Sequence, residues 1–230
     1  MERWWQPVAD PSQEVAFQTA GYEAEPPEVM GRNMNVGVRL LCAAMVSFFG
    51  AFLFAYVYLK ERDQEAVWRP SAVKVPVGTG VAVLALVVVS ALLTAVAVNA
   101  LRQRGEGAWR APALISLLLI YAALGVQCYQ WASLPFGPGS GPYASVFVTW
   151  TGFYAGVALL SSIYWLQTML AGSIRHHDVP AGPVVSTAGQ PGGEGALSAR
   201  LGFEAQSFAF YWYFLAGVQV VTFLLLYIVA

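Results

Sequence analysis

QCYQWASLPFGPGSGPYASVFVTWTGFYAGVALLSSIYWLQ, residues Gln127 to Gln167, lies inside a run from Ala111 to Ile174 that contains no Asp, Glu, Lys or Arg. One membrane-spanning helix takes roughly 20 apolar residues. The run is too long for one such helix and suits two joined by a turn. The turn is Leu134-Pro135-Phe136-Gly137-Pro138-Gly139-Ser140-Gly141-Pro142, where Pro and Gly are too dense for a helix to continue. Two apolar helices therefore leave one short, uncharged hairpin.

The whole chain shares this character. Of its 230 residues 57% are hydrophobic and 11% are charged, against about 25% charged in an ordinary soluble domain. With a mean hydropathy of +0.56, this composition predicts an all-α, polytopic membrane protein. The net charge of −1 gives no reason to expect a nucleic-acid partner. Cys42 and Cys128 both stand in apolar runs without metal-ligand or disulfide spacing, and read as small buried hydrophobes.

Working outward from the hairpin, five spans form a bundle: about 35–59, 75–101, 111–133, 143–170 and 205–230. Residues 1–34 are a polar, acidic, Pro-containing arm, expected to be mostly extended, with Trp4 and Trp5 suited to a headgroup layer or a partner. Residues 172–203 are rich in Gly, Pro, Ser and Ala and read as a mobile loop. The stretch Arg102 to Arg110 reads as a short basic loop. The second span holds Val, Ala and Leu with few polar groups, as a lipid-facing or loosely packed helix would, and Pro76 falls in its first turn. Arg3, Arg32, Arg39, Arg102, Arg104, Arg110, Arg175 and Arg200 fall on one side, and Lys60, Arg62, Arg69 and Lys74 on the other. The basic bias predicts a cytoplasmic N-terminus and an outer C-terminus.

Gly152-Phe153-Tyr154-Ala155-Gly156 is a G-x-x-x-G. Its two glycines share a helix face and predict close approach of another backbone. The only histidines, His176 and His177, lie outside the spans, and no span interior carries Asp, Glu, His or Lys. Axial haem ligands and intramembrane proton relays are usually drawn from His, Met, Asp, Glu or Lys. No catalytic, metal or cofactor site is therefore expected in this chain. Asn99, Gln127, Gln130 and Gln219 are candidates for interhelical hydrogen bonds.

The organising stretch also resembles cytochrome c oxidase subunit III, of the haem–copper respiratory oxidases. The resemblance lies in Gln127, Tyr129 and Trp131 ending one span, then Tyr143, Ser145, Phe147, Thr151, Gly152 and Phe153 opening the next. The Phe-rich helix Phe48 to Tyr56 followed by Trp68 and Pro70, and Tyr211-Trp212-x-Phe214 in the last span, are similar to the family as well. Five spans match shorter bacterial forms that lack the first two of seven helices. Met45 stands where the family has a glutamate, Tyr154 and Val157 where it has two histidines, and Tyr213 and Ala216 where it has a histidine and an aspartate.

The resemblance implies a non-catalytic subunit III of a bacterial inner-membrane oxidase. It would pack on subunit I beside subunit II and bind phospholipid. Haem and copper would sit in the partner subunits, with cytochrome c or quinol as electron donor to a proton-translocating complex. Gln127, Trp131, Thr151, Gly152, Tyr154, Gly156, Tyr211, Trp212 and Tyr213 are the positions expected to serve helix packing or subunit and lipid contact. An accessory subunit of nitric oxide reductase or another respiratory complex, and a small membrane transporter, are the alternative readings.

Overall fold

The computed structural model describes residues 27–62, 68, 74–104, 106–175 and 193–229. Among them there is no strand, and five helical segments are long and apolar enough to cross a membrane. Helix α1 is Pro27–Glu61, α2 Val77–Arg104 and α3 Glu106–Ala132. The fourth span is α4, Pro142–Phe153, then a π-helical turn, Tyr154–Leu159, then α5, Leu160–Arg175. The fifth is α6, Gly193–Phe223, closed by a π-helical turn, Leu224–Ile228.

The helices outrun the spans read from the sequence. The arm is helical from Pro27, so its last part is not extended, and Pro at the first helical position costs no hydrogen bond. The supposed loop 102–110 is helical up to Arg104 and again from Glu106. The supposed loop 172–203 is helical to Arg175 and again from Gly193. Charge excludes a residue from hydrocarbon, but Arg, Gln, Glu and Ala are good helix formers. A loss of hydropathy therefore marks the membrane edge and not the helix end. Trp4, Trp5, Pro70, His176 and His177 lie outside the described residues.

Pro76 stands just before α2 instead of within it, and its carbonyl accepts from the Thr79 hydroxyl at 3.0 Å and the Gly80 N–H at 3.2 Å. The hairpin contains one 3-10 turn, Pro138–Ser140. Gly141 follows with φ 142 and ψ 171, a conformation open essentially to glycine alone. Trp68 folds into this end of the bundle. It is buried, its ring meets Tyr56 and Tyr143 edge-on, and its carbonyl accepts the Tyr143 N–H at 3.2 Å.

Helix α6 is the hub. It packs on α1, α2 and α5, while α2 lies along α3, and α4 lies against α1. The α1–α4 joint is aromatic: Phe49 and Phe52 pack on Trp150 and Phe153 with ring centroids 5.3–6.4 Å apart. The second span departs from the loosely packed helix expected of it. Val83, Val87, Ser90, Ala91, Thr94 and Ala97 form a buried stripe at helical spacing, and Val81, Val89, Leu92 and Val96 face outward. Small side chains on that stripe let α2 and α3 approach closely.

Candidate functional site

The buried interior is organised as small hydrogen-bonded nodes, each joining spans far apart in sequence. In hydrocarbon a polar side chain finds no water, so it pairs with another helix or with its own backbone. At the first node Gln127 Nε2 donates to Gln130 Oε1 at 2.7 Å, and Gln130 Nε2 donates to Thr79 Oγ1 at 2.6 Å. The Tyr227 hydroxyl donates to the same Gln130 oxygen at 3.0 Å. One amide thus ties α3 to the start of α2 and to the end of the fifth span. The Tyr227 ring lies over Gly80, where a Cβ would overlap it.

The second node joins α2, α3 and α6. Ser90 Oγ and Thr94 Oγ1 each lie 2.9 Å from Ser116 Oγ, and the Trp212 indole N–H donates to Ser90 Oγ at 3.2 Å. Ser90, Ser116 and Trp212 are fully enclosed. Around the π-helical turn, Trp131 Nε1 donates to Thr151 Oγ1 at 3.1 Å, and Thr151 donates to the Phe147 carbonyl at 2.7 Å. Tyr154 donates to the Leu215 carbonyl at 3.2 Å, and the Tyr211 and Ser161 hydroxyls are 2.9 Å apart. Nearby, Trp150 Nε1 donates to Thr222 Oγ1 at 3.0 Å, and Tyr143 donates to the Leu226 carbonyl at 2.6 Å.

Gln127, Trp131, Thr151, Tyr154, Tyr211 and Trp212 therefore all sit at joints between spans. Gly152 and Gly156 do not. Among the described residues nothing lies within 4 Å of a Cβ at either position, and Gly156 is exposed, so the close backbone approach expected there is not made by any described segment. The π-helical turn begins at Tyr154, between the two glycines, and its extra residue per turn alters the helical register just there. Tyr213 faces outward into a groove between α1, α2 and α6. Cys42 is buried as expected, but Cys128 is exposed on the outer face of α3.

Sequence reasoning singled out none of Ser90, Thr94, Ser116, Thr79 and Tyr227. Ser90 and Thr94 did carry a signal. They are the only hydroxyls of the middle of the second span, four residues apart, and hence on one face. Tyr227 carried none, because its partner Gln130 is 97 residues away.

Among the described residues no three of His, Cys, Asp and Glu gather into a group that could hold a metal. The fold and its nodes define a polytopic, all-α membrane bundle in which many interior polar groups bond across spans, while the buried Ser162 and Ser207 hydroxyls and the Trp68 and Trp109 indole N–H groups find no partner among the described residues. No protein-family model matches this chain, and no curated protein matches it.

Proposed function

We propose that this chain is a non-catalytic subunit III, or a divergent relative of one, in a bacterial haem–copper terminal oxidase of the cytoplasmic membrane. In this reading it packs on the catalytic subunit I and contacts lipid, with its N-terminus on the cytoplasmic side. Subunits I and II hold the haem and copper and take electrons from cytochrome c or quinol.

The supporting observation is where the residues of the resemblance stand. Trp131 bonds to Thr151, Tyr143 to the Leu226 carbonyl, Tyr211 to Ser161 and Trp212 to Ser90. These positions are the fasteners between spans. Two departures, Met45 and Tyr154, are buried among them as packing groups. A chain that keeps the family's fasteners and replaces its ionisable side chains would act on its partner by shape and lipid contact. It would not act by moving protons or electrons.

The test is mild-detergent purification of the tagged chain from its native membrane, followed by mass spectrometry and a visible spectrum. A co-purifying haem–copper catalytic subunit with a Soret band is expected. Recovery with a transporter, or alone with no haem protein, overturns the reading.

A further inference from the structure

We propose that the outward face shared by α3 and α5 is a docking surface for a membrane-spanning helix of another protein, one that presents hydrogen-bond acceptors. The face is marked by two side chains that do not suit hydrocarbon. The Tyr121 hydroxyl donates to Gln167 Oε1 at 3.0 Å, and both residues are exposed. Gln167 stands eight residues before Arg175, roughly 12 Å along the helix, and Tyr121 eleven residues after Arg110, roughly 16 Å. The pair therefore lies near the middle of a hydrocarbon layer about 30 Å thick. The other amide side chains avoid such a place. Gln127, Gln130 and Gln219 are buried, and Asn99 and Gln206 are exposed only where their spans reach the membrane edge.

Hydrogen-bond accounting selects the occupant. Among the described residues the Gln167 amide accepts from Tyr121 but gives neither of its N–H groups to a partner. The Tyr164 hydroxyl, one turn earlier and 73% exposed, gives its proton to none either. The stretch 176–192, with His176, His177 and Asp178 among many Gly and Pro, is too polar to supply an acceptor at this depth. Lipid tails offer no acceptor, and an amide N–H left among them forfeits the bonds it makes in water. The face thus holds donors in surplus. A second copy of this chain would set the same donors against them. A helix carrying a hydroxyl, amide oxygen or carboxyl group supplies what they lack.

Shape admits such a helix. Gly156, Leu160, Tyr164 and Gln167 follow one another at spacings of three and four residues and are all exposed, so they form one strip. Gly125 on α3 and Gly156 have nothing within 4 Å of a Cβ among the described residues. They are low points where a second backbone can settle, as small residues allow between membrane helices. The glycines permit the approach, and the unmet donors call for it. The surface rests on the reading above only for the membrane, and does not require that the partner belong to an oxidase.

The experiment places the photo-crosslinking residue p-benzoylphenylalanine at Leu160 on this face, or at the comparably exposed Leu92 on the outward side of α2, in the full chain in its native membrane. Irradiation and peptide mapping are expected to find, at Leu160, an adduct within a membrane-spanning segment of another protein, and at Leu92 no adduct of that protein. Gln167→Leu is expected to cut the adduct about fivefold or more, as loss of one or two interhelical hydrogen bonds requires. Tyr121→Phe, which removes the bond inside the chain and keeps the amide donors, is expected to leave it unchanged. Adducts to lipid alone, an adduct to a second copy, equal adducts at Leu92, a yield unmoved by Gln167→Leu, or equal loss with Tyr121→Phe would each overturn the surface. A Gln167-dependent adduct to a haem–copper catalytic subunit supports both the surface and the functional reading. The same adduct to a membrane protein of another kind keeps the surface and defeats that reading.

Discussion

The indole N–H of Trp212 reaches the hydroxyl of Ser90 at 3.2 Å, linking the fifth span to the second across 122 residues. Ser90 in turn meets Ser116, so three helices share one enclosed polar point. Interhelical hydrogen bonds in membranes contribute about 0.6 kcal/mol on average and up to about 1.7.

Ser90→Ala removes both contacts at once. It should lower the melting temperature of the detergent-solubilised chain more than Thr168→Ala, whose exposed hydroxyl bonds only to the Trp165 carbonyl in its own helix. Tryptophan fluorescence on heating checks this. Equal melting of the two variants would show that the node adds nothing.

Gly80 and Gly156 should respond in opposite ways to bulk. Gly80 lies under the Tyr227 ring, so Gly80→Leu must push away a side chain that also anchors Gln130. Overpacking of this kind costs about 1–3 kcal/mol. Gly156→Leu enters open space and should leave the melting of the isolated chain unchanged. A comparable loss at both glycines would contradict the contrast.

That contrast marks what the sequence could and could not tell. The spacing of Gly152 and Gly156 establishes that they share a face, but not what the face looks at. The hairpin was legible because Pro135, Gly137, Pro138 and Gly141 restrict the backbone locally, whatever surrounds them. The joint at Thr151 and Trp131 was legible as a resemblance and not as a contact. Gly80 and Tyr227 were invisible, because their meeting depends on how the second and fifth spans pack. The helix ends were misjudged for another reason: hydropathy reports solvent, whereas helix formation at Arg104 and Gly193 is a backbone property.

Orientation can be tested at two turns. Ser140 lies exposed in the hairpin and Gly107 is exposed at the start of α3. In a background lacking Cys42 and Cys128, Ser140→Cys should react in intact cells with a membrane-impermeant maleimide. Gly107→Cys should react only after lysis. The reverse pattern would place the N-terminus outside.

Under the proposed function, removal of the chain should leave the initial rate of oxygen reduction and the protons pumped per electron largely unchanged, while cutting the number of turnovers before activity decays. The apolar interiors of the spans, about 35–59, 75–101, 111–133, 143–170 and 205–230, offer no Asp, Glu, His or Lys for a proton path, and tyrosine, with a reference pKa near 10, relays protons poorly at neutral pH. Oxygen uptake and proton release by the complex with and without the chain measure both quantities. Immediate loss of pumping, with the haem spectrum of subunit I intact, would overturn the supporting role.

The fifth span supplies Trp212 to Ser90, Thr222 to Trp150, Tyr211 to Ser161 and Tyr227 to Gln130. During synthesis the ribosome delivers it after all four of the others. Until it arrives, the Trp150 indole stands in the bilayer without Thr222, Gln130 keeps Gln127 and Thr79 but lacks Tyr227, and the earlier spans are held together only by their contacts with one another. Assembly of this bundle is thus timed by its last helix: a nascent chain stalled after Arg175 would present polar side chains to lipid and to the cell's quality control, and only entry of α6 would withdraw them.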